Sequence, residues 1–361
     1  MKTKLVSVPD SLLYAIIIHV LIGWGFLYLV KTATVHLSHN AFLGLIPATI
    51  IIFAFIWLIY DLACIFPNQG ISIIFTLVFG KLVGRIIGII FILYIFFFTT
   101  IMLRDAQLMV YTYFFTRTPF IIFTAVVLTA KLYIALKGIV TIGRLAAFML
   151  IIPLFLLLLL ILIGLSNVNP INVQPVLNVS PLKWLQAGSG LTLVLLPETA
   201  IVFYLSFIKQ PKTIKKIGLI SLGIVVPIFF LSLFGTIGVF GSAAIHKMNW
   251  PVVEFFHILD YPYLLLEQAG LFFLIAWYPF HFIGISQALF VIGNELHSLF
   301  SQIKRNWFIL TITILIFIGA NLPIDVVFLQ VFLRRFQSLI PLSFLGILLI
   351  TWLVARWRFS T

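Results

Sequence analysis

Residues 191–205 read LTLVLLPETAIVFYL. The stretch is apolar enough to sit in a bilayer, yet Pro197 and Glu198 stand side by side at its centre. Lipid offers no partner to a freed amide or carbonyl, so an interrupted helix at that depth needs protein, water, an ion or a ligand against it. Proline removes one backbone donor and crowds the carbonyl four residues earlier. A carboxylate at a helix centre costs about 3 kcal/mol and usually faces a bundle interior or a cavity. The stretch reads as a membrane span broken near its middle, with Glu198 as the strongest functional candidate. The other reading of Glu198 is a protonated carboxyl hydrogen-bonded to a neighbour.

Spans of this kind dominate the chain. Of 361 residues, 63% are hydrophobic, 9% are charged and 38 are phenylalanine; no soluble core needs so much apolar surface. Ten stretches are long enough to cross, near 9–30, 40–62, 84–110, 118–136, 141–164, 188–207, 216–241, 267–294, 307–321 and 338–356, at about 20 residues per crossing. The expected fold class is an all-α integral membrane protein with ten transmembrane helices. With the N-terminus in the cytoplasm, fifteen of the 22 lysines and arginines fall on that side, Lys131 and Arg144 among them, and seven outside. That bias follows the positive-inside rule and puts both termini in the cytoplasm. The formal charge of +13 is assigned to these loops. No basic run with interleaved aromatics points to nucleic acid. The first apolar run is longer than a signal-peptide core and lacks a cleavage site, so it reads as a retained span. Short apolar pieces at 70–80, 252–259 and 326–336 read as interfacial or re-entrant helices.

Span one carries LIGWGFLYLV at residues 21–30, where Gly23 and Gly25 flank Trp24. Spans one and six each open a five-span half, about 9–164 and about 188–356, and each carries an interruption. Glycine- or proline-broken segments at matching places in two halves point to a transporter-type binding site. Taken alone, the two glycines equally suit close helix packing. Span eight carries AWYPFHFIGISQ at 276–287; aromatic packing explains most of it, while Ser286 and Gln287 offer oxygens. His19 reads as a packed polar residue or a proton relay. Arg104 and Asp105 are adjacent, point to different helix faces, and one or both are expected to reach the outer interface. One cysteine, Cys64, excludes an intrachain disulfide and a cysteine metal cluster. No P-loop, G-x-S-x-G or H-E-x-x-H occurs, so neither enzyme activity nor a cofactor is expected.

Several features in order resemble a family. They are the first span with Gly23; IFPNQGISIIFTLVFGKLVGRIIG at 65–88; RTP at 117–119; KGIVTIGR at 137–144; and the broken sixth span. Together they resemble the B subunits of spore germinant receptors, distant members of the amino acid–polyamine–organocation transporter superfamily. The resemblance implies a five-plus-five inverted repeat of the leucine-transporter type with helices one and six broken. It implies a protein of the spore inner membrane, assembled with an A subunit and a lipoprotein C subunit, that binds a small nutrient such as an amino acid and triggers germination. The pocket would use Gly23, Trp24, Gly25, Leu196, Pro197, Glu198 and Thr199, with Tyr278 and Ser286 on a wall. Arg144 would be a snorkelling anchor or a fixed cation where related transporters hold sodium. A coupling ion or proton stays open. One departure is that relatives often follow the first-span motif with a proline, and this chain has Val30 near that place. The alternative function is an active secondary transporter of amino acids or organic cations.

Overall fold

Helix α1 (Asp10–Leu37) is the pillar of the bundle. Of its most apolar window, 89% is buried inside the protein, because α8, α9 and α11 surround it. A helix apolar all round is a buried one. The computed structural model describes residues 8–115, 117–174, 180–259, 269–322 and 339–359. The side chains of His36, Glu198, Thr199 and residues 339–342 lie outside that description.

The chain continues through α2 (Leu45–Ile65), α3 (Ile71–Phe79), α4 (Lys81–Tyr113) and α5 (Phe120–Lys137). It then forms α6 (Ile139–Phe148) and α7 (Ile151–Gly164), followed by α8 (Pro181–Leu195) and a 3₁₀ helix, Leu196–Phe207. The rest is α9 (Lys212–Ile245), α10 (Pro251–His257), α11 (Ala269–Leu299), α12 (Arg305–Asn321) and α13 (Leu339–Phe359). No strand occurs among the described residues. The protein is an all-α membrane protein.

Six helices are long and apolar enough to cross alone, and eight crossings result if each of two bent pairs is one span. The expected ninth span is α12, only 17 residues long, and the expected tenth is α13. Among the described residues, length and composition thus support six to eight crossings and do not confirm the expected ten. In the fifth span, α6 and α7 meet at 47°; Pro153 lacks the amide that would bond the carbonyl of Met149. In the sixth, the two halves meet at 43°.

Span one departs from expectation. α1 runs through Gly23-Trp24-Gly25 as one helix, so helix one is not broken. The glycines serve contact instead. A Cβ at Gly23 would run into the Phe280 carbonyl of α11, and one at Gly25 would lie 2.6 Å from the Val194 carbonyl of α8. Backbones cross where only hydrogen fits.

The short pieces are also more deeply placed than surface helices. In α3, Ile71, Ile74, Phe75 and Val78 are buried, and Gly80 at φ 85° turns the chain into α4, a conformation that suits glycine. In α10, Phe255 and Phe256 are fully buried. The piece 326–336 lies outside the described residues. Arg104 and Asp105 are both buried inside the protein. Arg104 donates to the Ala320 carbonyl at 2.6 Å, closing the end of α12, and Asp105 accepts from Trp250 Nε1 at 3.1 Å. Near the end of α9, Gly241 takes φ 70°, and the carbonyls of Gly238 and Val239 accept from Asn172 Nδ2 at 2.8 and 3.3 Å.

Candidate functional site

The second half of span six is twelve residues of 3₁₀ helix beginning at Leu196 and Pro197. Runs of that length are uncommon, because the tighter i→i+3 bonds are poorer, and such stretches mark hinges or strain. On this helix Ala200, Ile201, Val202, Phe203, Tyr204 and Leu205 are buried. Tyr204 donates to Gln287 Oε1 of α11 at 2.6 Å, so one neutral hydrogen bond ties the bent segment to the opposite wall.

Two voids flank the bend. One, a small cavity of about 30 Å³, is lined by Trp24, Tyr94, Phe98, Pro197, Phe203, Gln287 and Phe344, among others. The other, also of about 30 Å³, is lined by Trp24, Gly25, Tyr28, Thr32, Phe98, Met102 and Pro197, with Leu193 and Val194. Trp24, Phe98 and Pro197 belong to both. The Trp24 and Phe98 rings stand 4.9 Å apart at 45° and form the partition. The walls are mainly apolar and aromatic with few polar groups, the make-up of a small-molecule site. Two of those polar groups are buried donors without a partner, Trp24 Nε1 and the Tyr94 hydroxyl. Buried donors are nearly always satisfied, so a guest carrying an acceptor suits this place.

The expected residues divide. Trp24, Gly25, Leu196 and Pro197 line the voids. Gly23 does not; it lies under Phe280. Tyr278 faces Gln107, whose Nε2 is 3.5 Å from the phenol oxygen, and Ser286 donates to the Phe282 carbonyl at 2.9 Å within its own helix. Neither lines the described voids. Arg144 is exposed on α6, away from any internal cation position. The backbone of Glu198 and Thr199 is in the 3₁₀ helix, while their side chains lie outside the described residues. Reading the sequence missed Tyr94, Phe98, Phe203 and Phe344. The i, i+4, i+8 spacing of Tyr94, Phe98 and Met102 on α4 was the one available signal.

Lys131 was misplaced as well. Counted among the cytoplasmic residues, it is fully buried, with Nζ 5.4 Å from the Tyr278 ring centroid and 5.9 Å from that of Phe282. Among the described residues, no group of three histidines, cysteines or acids could hold a metal ion.

A void beside a bent span does not name a function by itself, and relatedness narrows the choice. The family model described as "Spore germination protein" matches residues 8–325. The chain belongs to the spore germination protein family. Three proteins of Bacillus subtilis (strain 168) are similar to it. Spore germination protein YndE is 25% identical over 200 residues, 55% of this chain and 54% of that protein. The match therefore spans about half of YndE. Spore germination protein B2 is 25% identical over 269 residues, 71% of this chain and 70% of its own. Spore germination protein A2 is 22% identical over 268 residues, 73% and 72% of the two chains. Membership in this family agrees with the resemblance carried by the motifs from Gly23 to Arg144.

Proposed function

We propose that this chain is the membrane subunit of a spore germinant receptor, binding a small nutrient in the paired voids beside span six and passing that event to A and C partner subunits. The supporting observation is the void shared by Trp24, Phe98 and Pro197, with unsatisfied donors at Trp24 and Tyr94, in a member of the spore germination protein family. The proposed setting is the inner membrane of the spore, with the basic face and both termini in the cytoplasm. The two halves, about 9–164 and about 188–356, act as inverted repeats around the void. A nutrient with a carboxylate, carbonyl or hydroxyl oxygen accepts from Trp24 and Tyr94, and Glu198 offers charge to an ammonium group.

Binding favours one state of the bent span. To turn a rare state into the dominant one, the ligand must prefer it by about 5.5 kcal/mol. The 3₁₀ segment suits such a two-state element because conversion to α-helix changes both its length and the angle it makes with α8.

The test is germination of spores carrying Tyr94→Phe, against a nutrient panel, with protein abundance checked. Loss of one hydrogen bond of about 1–1.5 kcal/mol raises the half-maximal nutrient concentration about tenfold while the protein level holds. An unchanged dose response removes Tyr94 from the site. Glu198→Gln is the companion variant and is expected to weaken the response strongly.

A second reading, secondary transport, is favoured by a specific feature: void on both sides of the Trp24–Phe98 partition, as a carrier that opens alternately needs. Nutrient uptake into liposomes by the purified chain alone decides for it.

A further inference from the structure

Lys131 and His281 lie in the crossing of α5 and α11, apart from the voids already described. Both are buried, Lys131 at 0% exposure and His281 at 1%. The Lys131 Nζ, the His281 Nε2 and the Gln107 Oε1 have no hydrogen-bond partner. All three side chains gather on Tyr278: Nζ is 5.4 Å from its ring centroid, the imidazole centroid is 5.8 Å away, and Gln107 Nε2 is 3.5 Å from its hydroxyl. The other side of the imidazole meets the backbone of Gly23 and fixes the ring to α1.

Among the described residues, no carboxylate lies against these two bases. Of the further elements packed on α11, α1 has Asp10, which accepts from Thr213, and α10 has Glu254, which accepts from Tyr113. The elements packed on α5 are α4, α6, α11 and α12. α6 and α12 contain no aspartate or glutamate; their basic groups, Arg144 and Arg305, stay away, the first exposed and the second over the Phe290 ring. The acid of α4, Asp105, is held by Trp250. The acid of α11, Glu295, accepts from the Ser72 amide at 3.1 Å. From α11 the rings beside Lys131 Nζ are Tyr278 and Phe282; His281 and the neutral Gln107 of α4 meet the same Tyr278.

Two basic groups in one dry place repel once both are charged, so they titrate as a pair rather than singly. We propose that Lys131 and His281 form a buried proton-binding site that holds at most one proton between them, with Gln107 and Tyr278 as its polar lining. The proton is exchanged when α5 moves against α11. Lys131 Nζ supplies the donors, and His281 Nε2 and Gln107 Oε1 are the buried acceptors without a partner. This site stands independently of the nutrient reading.

The test is the melting temperature of the purified full chain in detergent between pH 5 and 8, for wild type, Lys131→Met, His281→Gln and the double variant. An unfolded chain binds a proton on both residues below about pH 6.5, one more than the folded pair holds. Wild-type stability therefore falls as pH falls from 7 to 5, by about 2 °C per pH unit where steepest. Removing His281 abolishes that slope; removing Lys131 relieves the repulsion on the buried imidazole and reduces the slope without abolishing it, and the double variant has none. Lys131→Arg, which keeps a permanent charge, should lower stability across the range. Profiles of the single variants that superimpose on wild type overturn the proposal, as do two slopes that subtract independently in the double variant.

Discussion

Gly23 illustrates how one residue supports two readings. In a sequence, glycine in a membrane span suggests either a break or a contact, and the flanking residues do not decide between them. The partner decides, and the partner is Phe280, more than 250 positions away. Gly23→Ala places a methyl against the Phe280 carbonyl, which forces α1 and α11 apart; overpacking of this kind costs about 1–3 kcal/mol. Gly223 of α9 meets nothing within 4 Å, and alanine there is expected to be neutral or to stabilise slightly through helix propensity, by up to about 1 kcal/mol. Thermal melts of both variants in detergent check this contrast. Equal melting temperatures would mean that the α1–α11 seam yields. Lys131 was illegible for a related reason. Charge is assumed to seek the helix ends, and sequence alone does not reveal that this lysine faces α11 rather than water.

At the scale of elements, proline proved a better guide than glycine, but only in context. Pro197 and Pro153 coincide with the bends of spans six and five, whereas Pro227 and Pro279 lie inside α9 and α11 without ending them. What distinguishes span six is that its second half continues as 3₁₀ helix rather than resuming α geometry after one missed bond. Restoring the amide with Pro197→Ala permits i→i−4 bonding from Leu193 onward. We expect slower amide exchange across 196–207 in that variant, together with a higher nutrient threshold for germination. Exchange that stays as fast as wild type would show that packing, through contacts such as Tyr204–Gln287, rather than proline sets the 3₁₀ geometry. The break itself was legible from PET at 197–199. Its conversion to a long 3₁₀ helix was not, since propensity contains no term for that state.

For the whole molecule, hydropathy revealed the class of fold and most of its helices, because a lipid-facing helix must be apolar wherever it stands. It said less about how many of them cross and nothing about which aromatic residues meet in the middle, since 38 phenylalanines look alike until packing separates Phe98 from the rest. Orientation rests on charge, and one residue tests it without engineering. Asp10 at the start of α1 accepts from Thr213, and Trp57 and Tyr60 near the end of α2 lie against Lys215, so the start of α1 and the end of α2 meet the same end of α9. Cys64, the single cysteine, is exposed there, beside the Asp61–Arg356 ion pair of 2.8 Å that ties α2 to the end of α13. If the basic face is cytoplasmic, a membrane-impermeant maleimide added to intact protoplasts leaves Cys64 unmodified and reacts only after permeabilisation. Labelling of intact protoplasts would invert the topology, and with it the side from which a nutrient enters the void. A Cys64→Ser chain supplies the blank, and the label's mass on the peptide containing Cys64 identifies the site.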